Sequence, residues 1–350
     1  MYNALGIDLG ASKVAIATAG EHMLTIEPPP MLTVDAVSVS GDGGTDTLAA
    51  VVKGGDASPV SAFRDGIVAT EYTGATIASA LTRFLGEAAV GHADVLLSIP
   101  CSFGEMEEVA LAEMAVMAGA RDAYLVYSPL AAVVGNGLDP ATDAVLVDIG
   151  AARTSILVVS GGRIIAKATH PIGGDSFDAA IADYVRRQHN VQISLKAAEA
   201  VKRQVGTVWV GNEKRSAEAS GRDLSNGDYC TVRITSEEMF TALEEPMAAI
   251  IEAVSSAITK IPPSKVRDVF DTGILLSGGG CLLEGLDKMI SGVTGVNATC
   301  LNEPISAVAD GLCRLVDWTR GNQGLIGTRN ISKYILKPAA EPQRGKRYES

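Results

Sequence analysis

Short apolar runs closed by glycine set the pattern of the chain. "ALGIDLG" is apolar up to Asp8 and Gly10, and "KVAIATAG" alternates up to Gly20, which predicts a hairpin turning around Gly10 to Ser12. Further strands are expected in "HMLTIEPPPMLTVDAVSVS", broken at Pro28 to Pro30. Residues 40–58, rich in Gly, Asp and Ser, read as a loop or a small irregular subdomain. The apolar period then lengthens to that of helices in "TGATIASALTRFLGEAA" and "GEMEEVALAEMAVMAGA", the second opening on acids and stopping at Gly119. "DVLLSIP" and "DAYLVY" read as strands, and "PLAAVVGNGLD" as a short helix with Pro129 in its first turn.

The pattern begins again at Asp143. "DAVLVDIGAARTSILVVSGGRIIAKATHPIGG" predicts three strands joined by glycine turns. Helices are expected in "DSFDAAIADYVRRQHN", "SLKAAEAVKRQVGTV", "SEEMFTALEEPMAAIIEAVSSAITKIP" and "LLEGLDKMISGVTG", with strands in "CTVRIT" and "TGILLSGGG". The stretches "LGIDLGASKVAIATAGEHML" and "VLVDIGAARTSILVVSGGRI" are one element written twice, about 140 residues apart. Each is an apolar strand, Asp-x-Gly, a polar turn, a second apolar strand and another glycine turn. A repeated unit implies two similar domains that face each other, and strands followed by helices in each half imply an α/β fold with mixed sheets.

Composition narrows the classes. With 350 residues the chain suffices for two cored domains, and 47% apolar against 20% charged residues excludes disorder. A net charge of -12 argues against nucleic acid as a direct partner. The five cysteines, Cys101, Cys230, Cys281, Cys300 and Cys313, show no metal-site spacing and read as buried free thiols in a reducing compartment. Met1 to Leu9 enters a strand directly, without the features of a secretory signal or room for an amphipathic anchor. No apolar run is long enough to span a bilayer. The expected location is the cytoplasm, with any membrane contact peripheral.

The repeated Asp-x-Gly hairpins carry the chemistry. Glycine turns let backbone N–H groups approach phosphate oxygens. A carboxylate at each strand end would repel phosphate unless a divalent cation stood between, so Asp8 and Asp148 are expected to hold hydrated Mg²⁺, mainly through water. Gly278, Gly279 and Gly280 close a strand and open a helix, a turn suited to passing the adenosine side of a nucleotide. One Asp-x-Gly alone would be an ordinary tight turn; two copies with a strand-GGG-helix point to a nucleotide.

These residues lead to a family. "LGIDLG", "FRDGIVATEY", "SIPCSFGEMEEVAL", "AGARDAYLV", "SPLAAVVGNGL", "VDIG", "IGGDSFDAAI", "AEAVKRQVG", "GRDLSNG", "ITKIPPSKVRDVFDTGILLSGGGCLLEGLD" and "EPISAVADGL" resemble the superfamily of actins, sugar kinases and seventy-kilodalton chaperones. Within it the chain is similar to the bacterial actins of the MreB type and the related MamK filament proteins, over residues 5 to about 318. The resemblance implies an actin-like fold of two facing α/β domains with a nucleotide cleft between them. The first domain is expected at 1–140, with a loop-rich subdomain at 30–63, and the second at 141–320, with an inserted helical subdomain near 180–260. A basic tail follows at 321–350. Asp8, Gly10, Ala11 and Ser12 match the first phosphate loop, and Asp148, Gly150, Ala151, Ala152 and Arg153 occupy the second. Gly173, Gly174 and Asp175 match the interdomain glycine segment, Glu199 and Lys202 the pair that lines the ribose, and Gly278 to Gly280 the adenosine loop. Without the family, Glu199 and Lys202 would read as a surface i,i+3 ion pair.

Two departures bear on activity. The family has Glu before the proline at 129, where it orients or deprotonates the attacking water, help worth about 10²–10⁴ in rate; this chain has Ser128. The second loop reads Gly150-Ala151-Ala152-Arg153-Thr154 where the family favours Gly-Gly-Gly-Thr. The alanines lose freedom at positive φ, and Arg153 is either a bidentate phosphate clamp or a solvent-facing cation. Glu105, Glu107 or Glu108 are the alternative sources of a carboxylate, but they open a helix and suit its dipole. Binding of ATP or ADP with Mg²⁺ and slow or absent hydrolysis are therefore expected, with Asp8 and Asp148 as the acids of the site. The resemblance further implies self-assembly into filaments. It also admits co-assembly with a related actin-like protein or with membrane-associated morphogenetic proteins. In the tail, Ile331, Tyr334 and Ile335 share one helical face among basic residues within 328–337, either an interfacial helix or a packed terminus. A non-polymerising scaffold and a small-molecule kinase of the same superfamily are the alternatives.

Overall fold

The computed structural model describes residues 3–18, 24–27, 63–64, 67–68, 70–209 and 214–319. The expected turn at Gly20, nearly all of the subdomain at 30–63 and the basic tail lie outside the described residues. In chain order the elements are β1 (Asn3–Leu9), β2 (Val14–Thr18), β3 (Leu24–Glu27), β4 (Phe63–Arg64), β5 (Ile67–Val68) and α1 (Thr70–Leu85). Then come β6 (Ala93–Ile99), α2 (Glu105–Met117), β7 (Asp122–Tyr127), α3 (Ser128–Gly135), β8 (Ala144–Ile149), β9 (Thr154–Ser160) and β10 (Arg163–His170). They are followed by α4 (Gly174–His189), β11 (Val191–Ile193), α5 (Leu195–Val205), β12 (Ser216–Asp223), β13 (Tyr229–Thr235) and α6 (Ser236–Ile258). The last are α7 (Val266–Thr272), β14 (Ile274–Ser277), α8 (Leu286–Thr294), β15 (Ala298–Cys300) and α9 (Ala307–Thr319).

The sequence echo is an echo of topology. One five-stranded sheet runs β3-β2-β1-β6-β7 and the other β10-β9-β8-β14-β15. In each, an antiparallel meander supplies three strands and two parallel strands extend the sheet from its first strand. Such mixed sheets, flanked by helices, are the α/β class expected. β8 is buried on both faces, which is why "AVLV" reads as an unbroken apolar run. Its Leu146 packs into the core shared with the first sheet, while Val145 and Val147 belong to the second core, which also takes in residues of α4 and α6.

Local chemistry sets the helix ends. Ser194 Oγ accepts the Ala197 N–H at the start of α5, and Thr235 exchanges bonds with Glu238 at the start of α6. A small antiparallel sheet, β11-β12-β13, sits in the second half against α5 and α6.

The chain passes between the sheets along 136–143 and again along 301–306. Helix α3 leads into the first passage, and α9 follows the second and returns to pack on β1 and β2. The two helices cross backbone to backbone. A Cβ on Gly135 would lie 2.0 Å from the Ala307 carbonyl, and one on Gly311 1.8 Å from that of Ala131. The passages also touch, the Asn302 N–H donating to Asn136 Oδ1 at 2.7 Å. A second bridge joins the halves nearby. Lys167 on β10 donates to the Phe103 carbonyl at 2.5 Å and to the Tyr127 hydroxyl at 2.7 Å, and that hydroxyl donates to Glu108 at 2.9 Å.

Candidate functional site

Between the sheets lies a pocket of about 600 Å³. Its wall includes Asp8, Gly10, Ala11 and Ser12 from the first turn and Asp148, Gly150, Ala151, Ala152 and Arg153 from the second. Ser128, Gly174, Asp175, Glu199, Lys202, Gly278, Gly279 and Gly280 complete the set named from sequence that lines it. Gly173 stands just behind the wall. A Cβ there would meet the Ala151 carbonyl at 2.5 Å, and the N–H groups of Gly174 and Asp175 bond to the Gly150 and Ala151 carbonyls at 2.9 and 2.8 Å. The glycine segment therefore braces the second turn.

Each acid is held by a serine on the neighbouring parallel strand. Ser98 on β6 donates to Asp8, and Ser277 on β14 donates to Asp148 at 3.0 Å. The register pairs Ser277 with Asp148, and extending the β1–β6 register by one residue pairs Ser98 with Asp8, so the serines are part of the repeat. Both serines escaped the reading above, although "LLS" stands at or next to the end of both strands. Ser128, at the head of α3, also bonds Asp148.

The electrostatics follow from crowding. Burial pushes both Asp8 and Asp148 above the ordinary carboxylate range, and the charge of Asp8 raises Asp148 further. Their serine bonds and Lys13 pull the other way. Lys13 also lines the pocket and was not singled out from sequence; its ammonium donates to the Ile305 carbonyl of the second passage. Two half-buried like charges flanked by hydroxyls form a hard oxygen donor set short of a cation, which fits Mg²⁺ retaining its waters. Among the described residues no group of three or more His, Cys, Asp or Glu gathers for a metal, so any ion there relies on water and ligand oxygens.

Ala151 and Ala152 sit at ordinary backbone angles, since among the described non-glycine residues only Asn190 and Glu303 have positive φ. Arg153 is half-buried in the pocket wall, and burial lowers its pKa. Glu199 and Lys202 share a helix face but do not pair. Lys202 bonds Asp178 at 2.8 Å and the Gly174 carbonyl at 3.0 Å, and Glu199 pairs with Arg203 at 2.6 Å. At the other strand-turn-helix, Gly278 takes a φ of 80, and a Cβ on it would meet the Ile149 carbonyl at 2.3 Å. Gly279 has open space where a Cβ would be. Glu284 beyond this turn is ion-paired with Arg215. Glu107 accepts the Gly104 N–H as a helix cap, and Glu108 is bound to Tyr127, so neither lines the pocket.

A family model described as MreB/Mbl protein matches residues 2–323. The cell shape-determining protein MreB of Escherichia coli (strain K12) is 31% identical over 328 residues, covering 88% of this chain and 92% of that protein. Structures of MreB5 of Spiroplasma citri bound to ADP and to AMPPNP each superpose with a TM-score of 0.80 at 25% identity, covering 92% of this chain and 98% of theirs. The MamK double helical filament structure superposes with a TM-score of 0.69 at 21% identity, over 91% and 99% of the two chains, a likeness of fold.

Proposed function

The chain belongs to the MreB/Mbl family, and from that premise we propose that it binds ATP or ADP with Mg²⁺ in the cleft and assembles into filaments, with slow or absent hydrolysis. The observation that carries the nucleotide reading is the doubled Asp–Ser unit, Asp8 with Ser98 and Asp148 with Ser277, lining one pocket. Two crowded carboxylates are a poor floor for phosphate alone and a good one for phosphate with a divalent cation. Asp8 and Asp148 would hold the hydrated ion, whose charge would offset theirs and the phosphates'. The turns 10–12 and 150–153, braced by 173–175, would present N–H groups to the phosphate tail. Lys202 and Glu199 would border the ribose and Gly278 to Gly280 the adenosine. The Spiroplasma citri relative bound to ADP and AMPPNP supports this assignment.

Slow hydrolysis follows from Ser128. A neutral hydroxyl donating to Asp148 is unfit to take a proton from water near neutral pH. Filament assembly rests on the family and on the fold shared with the MamK filament; head-to-tail contacts that do not close would generate it. The two-domain division near residue 140 and a role in cell shape or intracellular organisation belong to the same reading. So does a cytoplasmic location, at the inner membrane face or beside a related actin-like protein. Among the described residues no helix is long and apolar enough to cross a membrane.

Calorimetry with ATP and ADP, with and without Mg²⁺, followed by sedimentation of each mixture, tests the proposal. Metal-dependent uptake and nucleotide-dependent pelleting are expected. Absent uptake overturns the nucleotide reading, and uptake without polymer favours the non-polymerising scaffold.

A further inference from the structure

Two of the five cysteines meet beside the third glycine turn. Cys281 follows Gly280 directly, in the chain that leaves β14, and Cys300 closes β15, the strand paired in parallel with β14. The Cys300 Sγ donates to the Cys281 carbonyl at 3.1 Å, and the two thiols also hydrogen-bond to each other. Cys101 and Cys313 belong to the other core, and Cys230 lies on β13. Since no three metal-ligating side chains gather among the described residues, the pair stands as a dithiol.

The two sulfurs are unequal. Cys281 is 3% exposed and Cys300 is half-buried, so a small solute reaches Cys300 first. As a thiolate, Cys300 would leave the carbonyl and accept the Cys281 S–H. That bond lowers the pKa of Cys300, and the same bond together with burial raises that of Cys281. One sulfur open to attack and a second waiting behind it are the parts of a reversible disulfide site.

The place of the pair gives it leverage. The glycine turn rests on the end of β8, where a Cβ on Gly280 would meet Ile149 Cγ2 at 2.2 Å. Gly280 and Leu282, on either side of Cys281, line the pocket. Just past Cys300 the Leu301 N–H donates to the Leu276 carbonyl at 2.8 Å, and the Gly278 N–H donates to the Pro304 carbonyl at 2.9 Å. A bond between the sulfurs would add a covalent tie between the turn and the passage that leads into α9.

We propose that Cys300 and Cys281 form a reversible thiol–disulfide site that reacts with peroxides, and that the disulfide pins the 278–282 turn to the end of β15. The proposal is independent of what the pocket binds. The Cys300 thiolate attacks one oxygen of hydrogen peroxide. An S–O bond forms, the O–O bond breaks, and the departing hydroxide takes up the proton that Cys300 gave up. The Cys281 sulfur then attacks the sulfenic acid on Cys300. The S–S bond forms, the S–O bond breaks, and the leaving oxygen departs as water with the Cys281 proton. Each sulfur is oxidised by one electron, and one peroxide is reduced to two waters. A dithiol reductant reverses the bond by exchange.

Treatment of the full chain with hydrogen peroxide tests this by thiol counting, peptide mass mapping and amide hydrogen exchange. The wild type is expected to lose two thiols per chain, to show a 281–300 crosslink within one chain, and to regain both thiols with dithiothreitol. Cys281→Ser is expected to stop at a sulfenic acid on Cys300, captured by dimedone. Cys300→Ser is expected to form no crosslink and to react about tenfold more slowly or less. Exchange over residues 278–283 is expected to slow about threefold or more in the crosslinked wild type, and to stay unchanged in peroxide-treated Cys300→Ser. No 281–300 crosslink in the wild type, loss of thiols at the other cysteines first, or a crosslink that leaves exchange at the turn unchanged overturns the proposal. None of these outcomes touches the nucleotide reading.

Discussion

In the proposed function, Ser128 beside Asp148 is the position on which hydrolysis turns. A carboxylate in place of the Ser128 hydroxyl would restore a proton acceptor beside the pocket's acids. Ser128→Glu is expected to raise ATP turnover by about tenfold or more, measured as phosphate release with Mg²⁺ present; turnover no faster than the parent counts against the account of the missing base. The crowding of Asp8 and Asp148 makes a second prediction. Their folded pKa values lie above the unfolded ones, so their stabilising contribution is whole below about pH 4 and is lost as the pH rises through the folded values. In nucleotide-free protein with chelator, Asp148→Asn should therefore melt above the wild type at pH 7.5, with the gap closing toward pH 4. A gap constant with pH would contradict this. The variant should also lose metal-dependent nucleotide uptake. At this scale the sequence was generous about backbone-rich turns and poor about partners. Asp8, Asp148 and the glycines announce themselves by repetition. Ser98 and Ser277 were invisible because their role depends on strand register, which a linear reading does not supply.

Among the elements, apolar runs made β1, β2 and β6 legible and helical spacing α4 and α6, while small residues hid others. Strand β12, "SAEASGRD", buries Ala217, Ala219 and Gly221, so its alternation lacks the branched residues that signal strand. Helix α9 carries Gly311 in its middle, a poor helix former that admits the backbone of α3. The same residue gives the prediction for this scale. Gly311→Ala improves helix propensity yet places a methyl against the Ala131 carbonyl, so it is expected to destabilise by about 1–3 kcal/mol, read as a lower urea midpoint. An unchanged or raised midpoint would mean that the helices separate at no cost.

For the whole molecule, two sheets of one topology and the pocket between them were readable from the doubled hairpin, whereas the tie made by Lys167 was not. Nothing in "RIIAKATH" marks a lysine that spans to Phe103 and Tyr127 in the other half. Lys167→Met is expected to speed release of a fluorescent nucleotide by about threefold to tenfold, the scale of one or two lost hydrogen bonds. Release at the wild-type rate would mean that this tie does not hold the cleft. The crossing of α3 and α9 has a mechanical corollary. Helices whose backbones touch have no cushion of side chains on which to slide, and the adjoining chain passages are stitched together by Asn136 and Asn302. The lobes should therefore swing about one axle, like the jaws of pliers. A small change at the phosphates would then become a larger sweep at the outer rims, where neighbouring subunits would meet.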